Sequence, residues 1–343
     1  MRARLVDVAA RAGVSEATVS RVLNGRPGVS AATTRRVLVA VDTLGLERPA
    51  RLVTSSAGLV ALVVPDLDDV AHPVLVRELT DRLALRGLSP VLEVPPPGAG
   101  AAAEAERLEA VVGRGVVGLV LVGGRHTDPA ADLAPHRALA AGGLPVVAVG
   151  AAAGRPEGRA LEVPVVAVDD AAAADLAVAH LVALGHRRLG VVTGTGRSAP
   201  AARRVAGFER ALRARLGVES ATGLVVRTSP TVEGGQEAVV RLRERRVTAV
   251  LTTSLPLALG VLRGARQAGL RVPEDLSVVG HDDLPLVCDF TDPPLTTLRP
   301  PLPAMAGAAV TALLGDAEER LPRELAFRAD LVVRGTTAAA PAG

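Results

Sequence analysis

From Gly58 onward, apolar runs of strand length alternate with segments of helix length. Strands are expected at Gly58–Pro65, Ser89–Val94, Val116–Val122 and Pro145–Val149, with helices near Val74–Arg86, Ala102–Val112 and Ala131–Ala141 between them. The cycle restarts near Val165–Val168 and continues through strands at Leu189–Thr193, Gly223–Arg227, Val247–Thr252 and Leu276–Gly280. Continuous Val/Leu runs suit strands covered on both faces, as in a parallel sheet. Their regular alternation with helices predicts βαβ units. The expected fold is therefore α/β, with two similar lobes facing across a cleft, where open sheets bind ligands outside their strand ends. The tail adds a strand near Leu295–Leu298, a helix near Ala304–Leu314 and a strand near Asp330–Arg334.

Composition narrows the chemistry. All 39 basic residues are arginine, and Tyr and Trp are absent. Without Lys there is no Walker A phosphate loop and no Schiff-base catalysis. The single Cys288 can form neither an internal disulfide nor a thiolate zinc site. No metal site, cofactor or catalytic residue is expected. No run is long and apolar enough to span a bilayer, and the N-terminus lacks the apolar core of a signal peptide, so a cytoplasmic protein without a membrane partner is expected.

Charge is unevenly placed. Residues 1–51 carry nine arginines against Asp7, Glu16, Asp42 and Glu47, while the remaining 292 residues carry 30 arginines and 32 acids. A basic head on a near-neutral body points to an anionic partner for the head. The head reads as short helices. Val6–Ala12 is the first. Gly13 supplies a turn, Ser15 an N-cap, and a second helix runs to about Leu23. Ala9 and Ala12 let the two helices approach closely, and Val14, Val19 and Val22 form an apolar seat. Glu16, Ala17, Thr18, Ser20 and Arg21 are left on outward faces. Such a helix can enter a DNA major groove, with Arg bonding guanine edges and hydroxyls bonding phosphates. The plainer alternative is a helical hairpin with a solvated face.

The run Asp7-Val8-Ala9-x-x-Ala12-Gly13-Val14-Ser15-x-x-Thr18-Val19-Ser20-Arg21-Val22-Leu23-Asn24, followed by Val29-Ser30-x-x-Thr33, resembles the headpiece of the lactose-repressor (LacI-type) family. Further similar strings are Gly185-His186-Arg187-Arg188-Leu189, Arg204-x-x-Gly207-Phe208 and Val272-Pro273-Glu274-Asp275-Leu276-Ser277-Val278-Val279-Gly280-x-Asp282-Asp283, so the resemblance covers nearly the whole chain. It implies a transcription regulator, of the repressor kind, that binds a near-palindromic double-stranded operator as a homodimer. The body would be like periplasmic binding proteins, with a small effector between the lobes. By position, Glu16, Ala17 and Arg21 would face base edges, and Thr18, Ser20, Asn24, Ser30 and Thr33 would lie near phosphates. The implied organisation is a helix-turn-helix headpiece at 1–48, a hinge at 49–57 and a two-lobed body at 58–343. Lobe 1 would comprise about 58–163 plus 291–320, and lobe 2 about 164–290 plus 321–343.

Departures from the family pattern are informative. The hinge text, Leu44-Gly45-Leu46-Glu47-Arg48-Pro49-Ala50-Arg51-Leu52, is shorter than the family form. Leu52 is either an apolar wedge for the minor groove or a residue packed on the body. In the cleft, an Asn-Asp pair of the family is replaced by Ser254 and Leu255, an aromatic pair by Ala71 and His72, and a usually polar position by Gly150. The remaining effector candidates are Asp69, His72, Arg204, Ser254 and Asp282. Either the effector is small and non-sugar or anionic, fixed by the donor fork of Arg204, or effector control has been lost.

Three other motifs have plainer readings. Gly194-x-Gly196-x-x-Ala199 mimics a dinucleotide fingerprint but reads as a strand-to-helix loop. His281-Asp282-Asp283 reads as a loop with capping carboxylates rather than a metal site. His186 reads as a helix end favoured by the dipole. A solute-binding protein of the same two-lobed fold and a nucleotide-dependent enzyme are the competing functional classes.

Overall fold

A computed structural model of the 343-residue chain describes residues 5–23, 29, 33, 36–37, 40–41, 58–67, 69, 71–95, 100–150, 160–217, 225–315 and 322–341. It divides into two compact units, residues 1–59 with 87–89 and residues 60–86 with 90–343.

The first unit opens with two short helices, α1 (Leu5–Ala12) and α2 (Glu16–Leu23). Gly13 turns the chain between them at φ +65°, a conformation that costs glycine nothing. The Ser15 hydroxyl accepts from the Thr18 amide at 3.2 Å, so α2 begins with the expected cap. Val8, Ala9 and Ala12 of α1 pack on Val19 and Val22 of α2 and on Val37, Ala40 and Val41. The small Ala9 and Ala12 leave room for the second helix to cross.

The second unit holds two six-stranded sheets. In chain order its elements are β1 (Leu59–Val63), α3 (Ala71–Leu85), β2 (Ser89–Glu93), α4 (Ala101–Gly113), β3 (Gly118–Val122), α5 (Ala134–Ala141), β4 (Val146–Val149) and β5 (Val165–Val168). There follow α6 (Asp170–Ala183), β6 (Leu189–Gly194), α7 (Ala199–Leu216), β7 (Val225–Thr228), α8 (Val232–Glu244), β8 (Ala249–Thr252), α9 (Leu255–Gln267) and β9 (Ser277–His281). The last elements are α10 (Pro285–Cys288), β10 (Thr296–Arg299), α11 (Leu302–Leu314), β11 (Glu324–Phe327) and β12 (Asp330–Val332). The sheet of lobe 1 runs β11-β5-β4-β3-β1-β2, and that of lobe 2 runs β12-β10-β9-β8-β6-β7. β3 and β4 in lobe 1, like β8 and β9 in lobe 2, consist wholly of buried residues, as the unbroken apolar runs require.

Sheet membership moves the lobe boundaries expected from sequence. β5 pairs with β4 and belongs to lobe 1, not to a lobe beginning at 164. β10 pairs with β9 in lobe 2, although 291–320 was expected in lobe 1. β11 pairs with β5 in lobe 1, although 321–343 was expected in lobe 2. The chain therefore crosses between lobes three times: after β5, after β10 and between β11 and β12. Each crossing follows a strand, because the strand's pairing partner, not the periodicity of its own residues, decides which lobe it joins. The hinge at 49–57 lies outside the described residues.

Candidate functional site

In the head, Glu16, Ala17 and Arg21 are exposed on α2, while Thr18 and Ser20 are half-buried beside them. Val19 and Val22 on the opposite side are in the core, so helical periodicity alone turns the five candidate residues outward. Ser15 and Thr18 hydroxyls lie 2.9 Å apart and share a hydrogen bond. Thr33 is half-buried. Asn24, Ser30 and Leu52 lie outside the described residues.

In the body, a cavity of about 330 Å³ opens between the lobes and is lined by Asp69, His72, Arg204, Ser254 and Asp282 together. All five effector candidates thus converge, although they come from four separate segments. That volume is at the small end of ligand sites, enough for one compact molecule. Lobe 1 contributes the turn before α3. The Ala71 amide donates to Asp69 Oδ1 at 3.0 Å, and His72 Nδ1 lies 3.2 Å from the Asp66 carbonyl oxygen. Gly150, at φ +113°, stands where a side chain would approach Thr127 and His126 at about 3.5 Å, so its backbone itself forms part of the wall.

Lobe 2 contributes the charged wall. Arg204 Nε donates to Asp170 Oδ1 at 2.7 Å, and its Nη1 donates to the Thr253 carbonyl at 2.6 Å. The guanidinium is 14% exposed and Asp170 only 2%. Burial disfavours the Arg204 charge, but Asp170, Asp282 and Asp69 outweigh it and raise its pKa. Asp170 is the cleft residue that sequence reasoning missed. Its signal was the pair Asp169-Asp170 at a helix start. Asp169 caps α6 by accepting from Ala172 N at 3.0 Å, which frees the second carboxylate to face Arg204.

His281, Asp282 and Asp283 correct the expectation of a capping loop. His281 ends β9 fully buried, with Nδ1 2.9 Å from Asp282 Oδ1. Its Nε2 has no hydrogen-bond partner and lies 3.9 Å from Asp170 Oδ1. Asp282 takes a left-handed backbone at φ +68°, which turns its carboxylate into the cleft. Burial opposes its charge, yet His281 and Arg204 prevail and hold the carboxyl at about 2. Asp283 points away from the cleft, where Arg334, Arg299 and Thr297 bind it. The short helix α10 beyond it has no side-chain cap, so neither Asp serves that purpose.

Asp69 behaves differently. Burial and the facing Asp282 raise its pKa above the usual carboxylate range, and His72 only partly compensates. Ser254 precedes α9 at the N-cap position but makes no capping bond. Pro256 at the second helical position has no N–H to donate to it. The buried Ser254 hydroxyl is left without a hydrogen-bond partner on the cleft wall. Gly194 and Gly196 also line the cleft and lead into α7, whose cap is Ser198. They form a strand-to-helix loop, as the plainer reading of that motif has it.

His186 is not the dipole-favoured cation that its place after Gly185 suggests. It is wholly buried, with Nδ1 3.0 Å from Thr248 Oγ1 and Nε2 3.1 Å from both Ser277 Oγ and the Ala338 carbonyl. Burial lowers its pKa, so the ring is a neutral pin between β9 and the C-terminal tail rather than a cation at a helix end.

Among known proteins, residues 4–47 match the bacterial regulatory proteins of the lacI family, and residues 178–337 match a periplasmic binding protein-like domain. The HTH-type transcriptional regulator MalR of Streptomyces coelicolor is 46% identical over 346 residues, covering 99% of this chain and 98% of that protein. The chain belongs to the lacI family. The HTH-type transcriptional repressor CytR of Escherichia coli is 31% identical over 99% of the chain and 97% of its own length. The structure of the lac repressor dimer bound to operator and the anti-inducer ONPF superposes with a TM-score of 0.73 at 26% identity, covering 99% of this chain and all of that one. A complex of the transcriptional regulator CelR with cellobiose gives 0.70 at 31% identity, over 98% and 100%. This lacI-family member is a transcription regulator with a helix-turn-helix DNA-binding head and an effector-binding body. Among the described residues, no helix is long and apolar enough to cross a membrane, and no group of three or more His, Cys, Asp or Glu side chains could hold a metal.

Proposed function

We propose that the chain is a cytoplasmic repressor without enzymatic activity, which grips a near-palindromic operator as a homodimer and releases or tightens it when a small neutral polyhydroxyl compound fills the cleft. The head reads DNA through Glu16, Ala17 and Arg21 at base edges, with Thr18, Ser20, Asn24, Ser30 and Thr33 at phosphates and Leu52 as the wedge. The effector is held by Asp69, His72, Arg204, Ser254 and Asp282, with Asp170 fixing the guanidinium.

The observation that carries the effector reading is the charge balance of the cleft. Three carboxylates, Asp69, Asp170 and Asp282, face one guanidinium that Asp170 and the Thr253 carbonyl already engage. An anion entering this site meets repulsion from these carboxylates, which argues against an anionic effector. Hydroxyl groups suit it, since each can donate to a carboxylate and accept from Arg204 or Ser254. The orphan Ser254 hydroxyl adds a polar group that a ligand would satisfy. The cellobiose complex of a 31%-identical regulator supports the same class of ligand.

Thermal unfolding with cellobiose, maltose and glucose, set against glucose 6-phosphate, tests the reading. A neutral saccharide at about a hundred times its Kd stabilises the protein by about 2.7 kcal/mol, and the phosphorylated compound gives no shift. A shift from the phosphate alone would reverse the assignment. For the head, selection of bound duplexes from a random pool yields a near-palindrome. Arg21→Ala then loses about 1–3 kcal/mol of discrimination at one base pair per half-site, while an unchanged preference removes Arg21 from base readout.

A further inference from the structure

The end of lobe 2 opposite the cleft is a strongly basic pole. The topology fixes where it lies. Strands β6, β7, β8, β9 and β10 are parallel, and the cleft residues Gly194, Thr253 and Asp282 follow their C-terminal ends. Helices α6, α7, α8 and α9 each return the chain to the strand N-terminal ends, so all four helix C-termini gather at the far pole. Over the last two turns of these helices and the described turns that follow, there are twelve arginines, all exposed, against only Glu244, Glu274 and Asp275. The body as a whole carries 30 arginines and 32 acids, so this excess is segregated rather than average.

Helix dipoles do not account for it. Four C-termini present roughly half a negative charge each, about two charges in all, against an excess of nine positive ones. Lobe 1 is an internal control, because α3, α4 and α5 end at its own far pole in the same way. There the matching segments carry five arginines against Asp81 and Glu109. Nor does internal pairing absorb the charge. Arg215 binds Asp175 and Arg271 binds Asp275, whereas the other ten, including Arg188, Arg213, Arg243 and Arg266, have no carboxylate within ion-pair distance among the described residues. Arg241 and Arg245 donate to the carbonyls of Arg227 and Val225 on the edge strand β7, which holds their guanidinium groups at the surface.

We propose that this pole is a second, sequence-independent binding surface for the phosphate backbone of duplex DNA. Planar guanidinium groups match phosphate oxygens two at a time. The pole presents helix C-termini and strand starts, with no helix N-terminus to enter a groove, so it grips the backbone without reading bases. Duplex DNA is also the polyanion that this chain meets at the highest local concentration whenever its head is engaged. A molecule with both surfaces can hold two duplex segments at once.

The test compares full-length protein with the variant Arg188→Gln/Arg213→Gln/Arg243→Gln/Arg266→Gln on a random-sequence 20-base-pair duplex, by fluorescence anisotropy over a salt series. The head is common to both proteins and cancels. The variant keeps the wild-type melting temperature, lowers the salt slope by about 3–4 and weakens binding at least tenfold at low salt, since each phosphate contact contributes about 0.9 to the slope. A control variant of lobe 1, Arg82→Gln/Arg86→Gln/Arg114→Gln/Arg137→Gln, leaves the slope within one of wild type. Equal slopes for the lobe 2 variant and wild type overturn the proposal, and so does an equal loss in the control. Tighter binding of fluorescent polyglutamate than of the duplex at equal charge also overturns it and assigns the pole to an acidic protein.

Discussion

The two lobes share a six-stranded sheet and a cleft-facing edge, yet their helices are joined differently. In lobe 2, a Cβ on Gly207 of α7 would stand 2.8 Å from the Ala171 backbone of α6, and one on Gly260 of α9 would stand 2.1 Å from the Val232 carbonyl oxygen of α8. Both helix pairs therefore touch backbone to backbone. In lobe 1, Gly113 of α4 and Gly307 of α11 have nothing within 4 Å of a Cβ position. The charges differ too. Lobe 2 buries Asp170 against Arg204 at its cleft edge, with His281 behind, whereas the buried Glu104 of lobe 1 does not line the cleft and is held between Arg125 at 2.7 Å and His136 at 3.3 Å. One chain thus built two versions of a βα lobe, one welded by glycine and an ion-paired wall, the other joined by ordinary side-chain packing.

The largest expected effect breaks the comparison at those ion pairs. Arg204→Met leaves Asp170 buried without its partner and costs about 3–5 kcal/mol in denaturant unfolding. Arg125→Met in lobe 1 costs clearly less, because His136 remains beside Glu104. Equal losses would show that His136 contributes nothing. The next effect sharpens the contrast in packing. Gly260→Ala forces α8 and α9 apart and costs about 1–3 kcal/mol. Gly307→Ala meets open space in a helix interior and stabilises by about 0.5–1 kcal/mol, read as a higher melting temperature. A destabilised Gly307→Ala would mean that lobe 1 is packed as tightly as lobe 2.

Most elements were legible because their signal is local. The run at Leu189 was expected to end at Thr193 and ends at Gly194, and the helix expected near Ala131–Ala141 begins three residues later at Ala134. β11 was missed, since Glu324–Phe327 is a four-residue edge strand without a fully buried position. The lobe crossings were misplaced because the choice of pairing partner, 17 residues away for β5 and for β10 and 159 for β11, leaves no mark in the periodicity of one strand. In the site, Arg204, Asp282 and Ser254 were found through family position. Asp170 and His281 were not, because their roles arise from partners on other segments. His186 shows the same limit. Its neighbours in sequence suggest a helix end, while Thr248, Ser277 and Ala338 make it a buried pin.

That pin gives the smallest effect and the last way to tell the lobes apart. His186 is pulled below the ordinary imidazole pKa, chiefly by burial and also by His180, with the Ala338 carbonyl in partial opposition. His180, which shares a hydrogen bond with Thr337 Oγ1 at 3.1 Å, is lowered by burial as well. For both rings the folded state favours the neutral form. Their contribution is therefore complete above the unfolded pKa of about 6.5 and is lost as pH falls below it toward the folded values, because the unfolded chain binds protons more readily. The C-terminal tail is where the loss is felt. The Thr336 hydroxyl donates to the Val278 carbonyl, and the Ala340 amide donates to Leu184 O. Hydrogen exchange followed by mass spectrometry from pH 7.5 to 5.5, corrected for the intrinsic rate, is expected to loosen residues 277–279 and 336–340 while β3 and β4 of lobe 1 stay protected. His186→Leu removes the larger part of that pH dependence. If the variant loosens on acidification as much as wild type does, the tail is held by its backbone bonds alone and the histidine is a spectator.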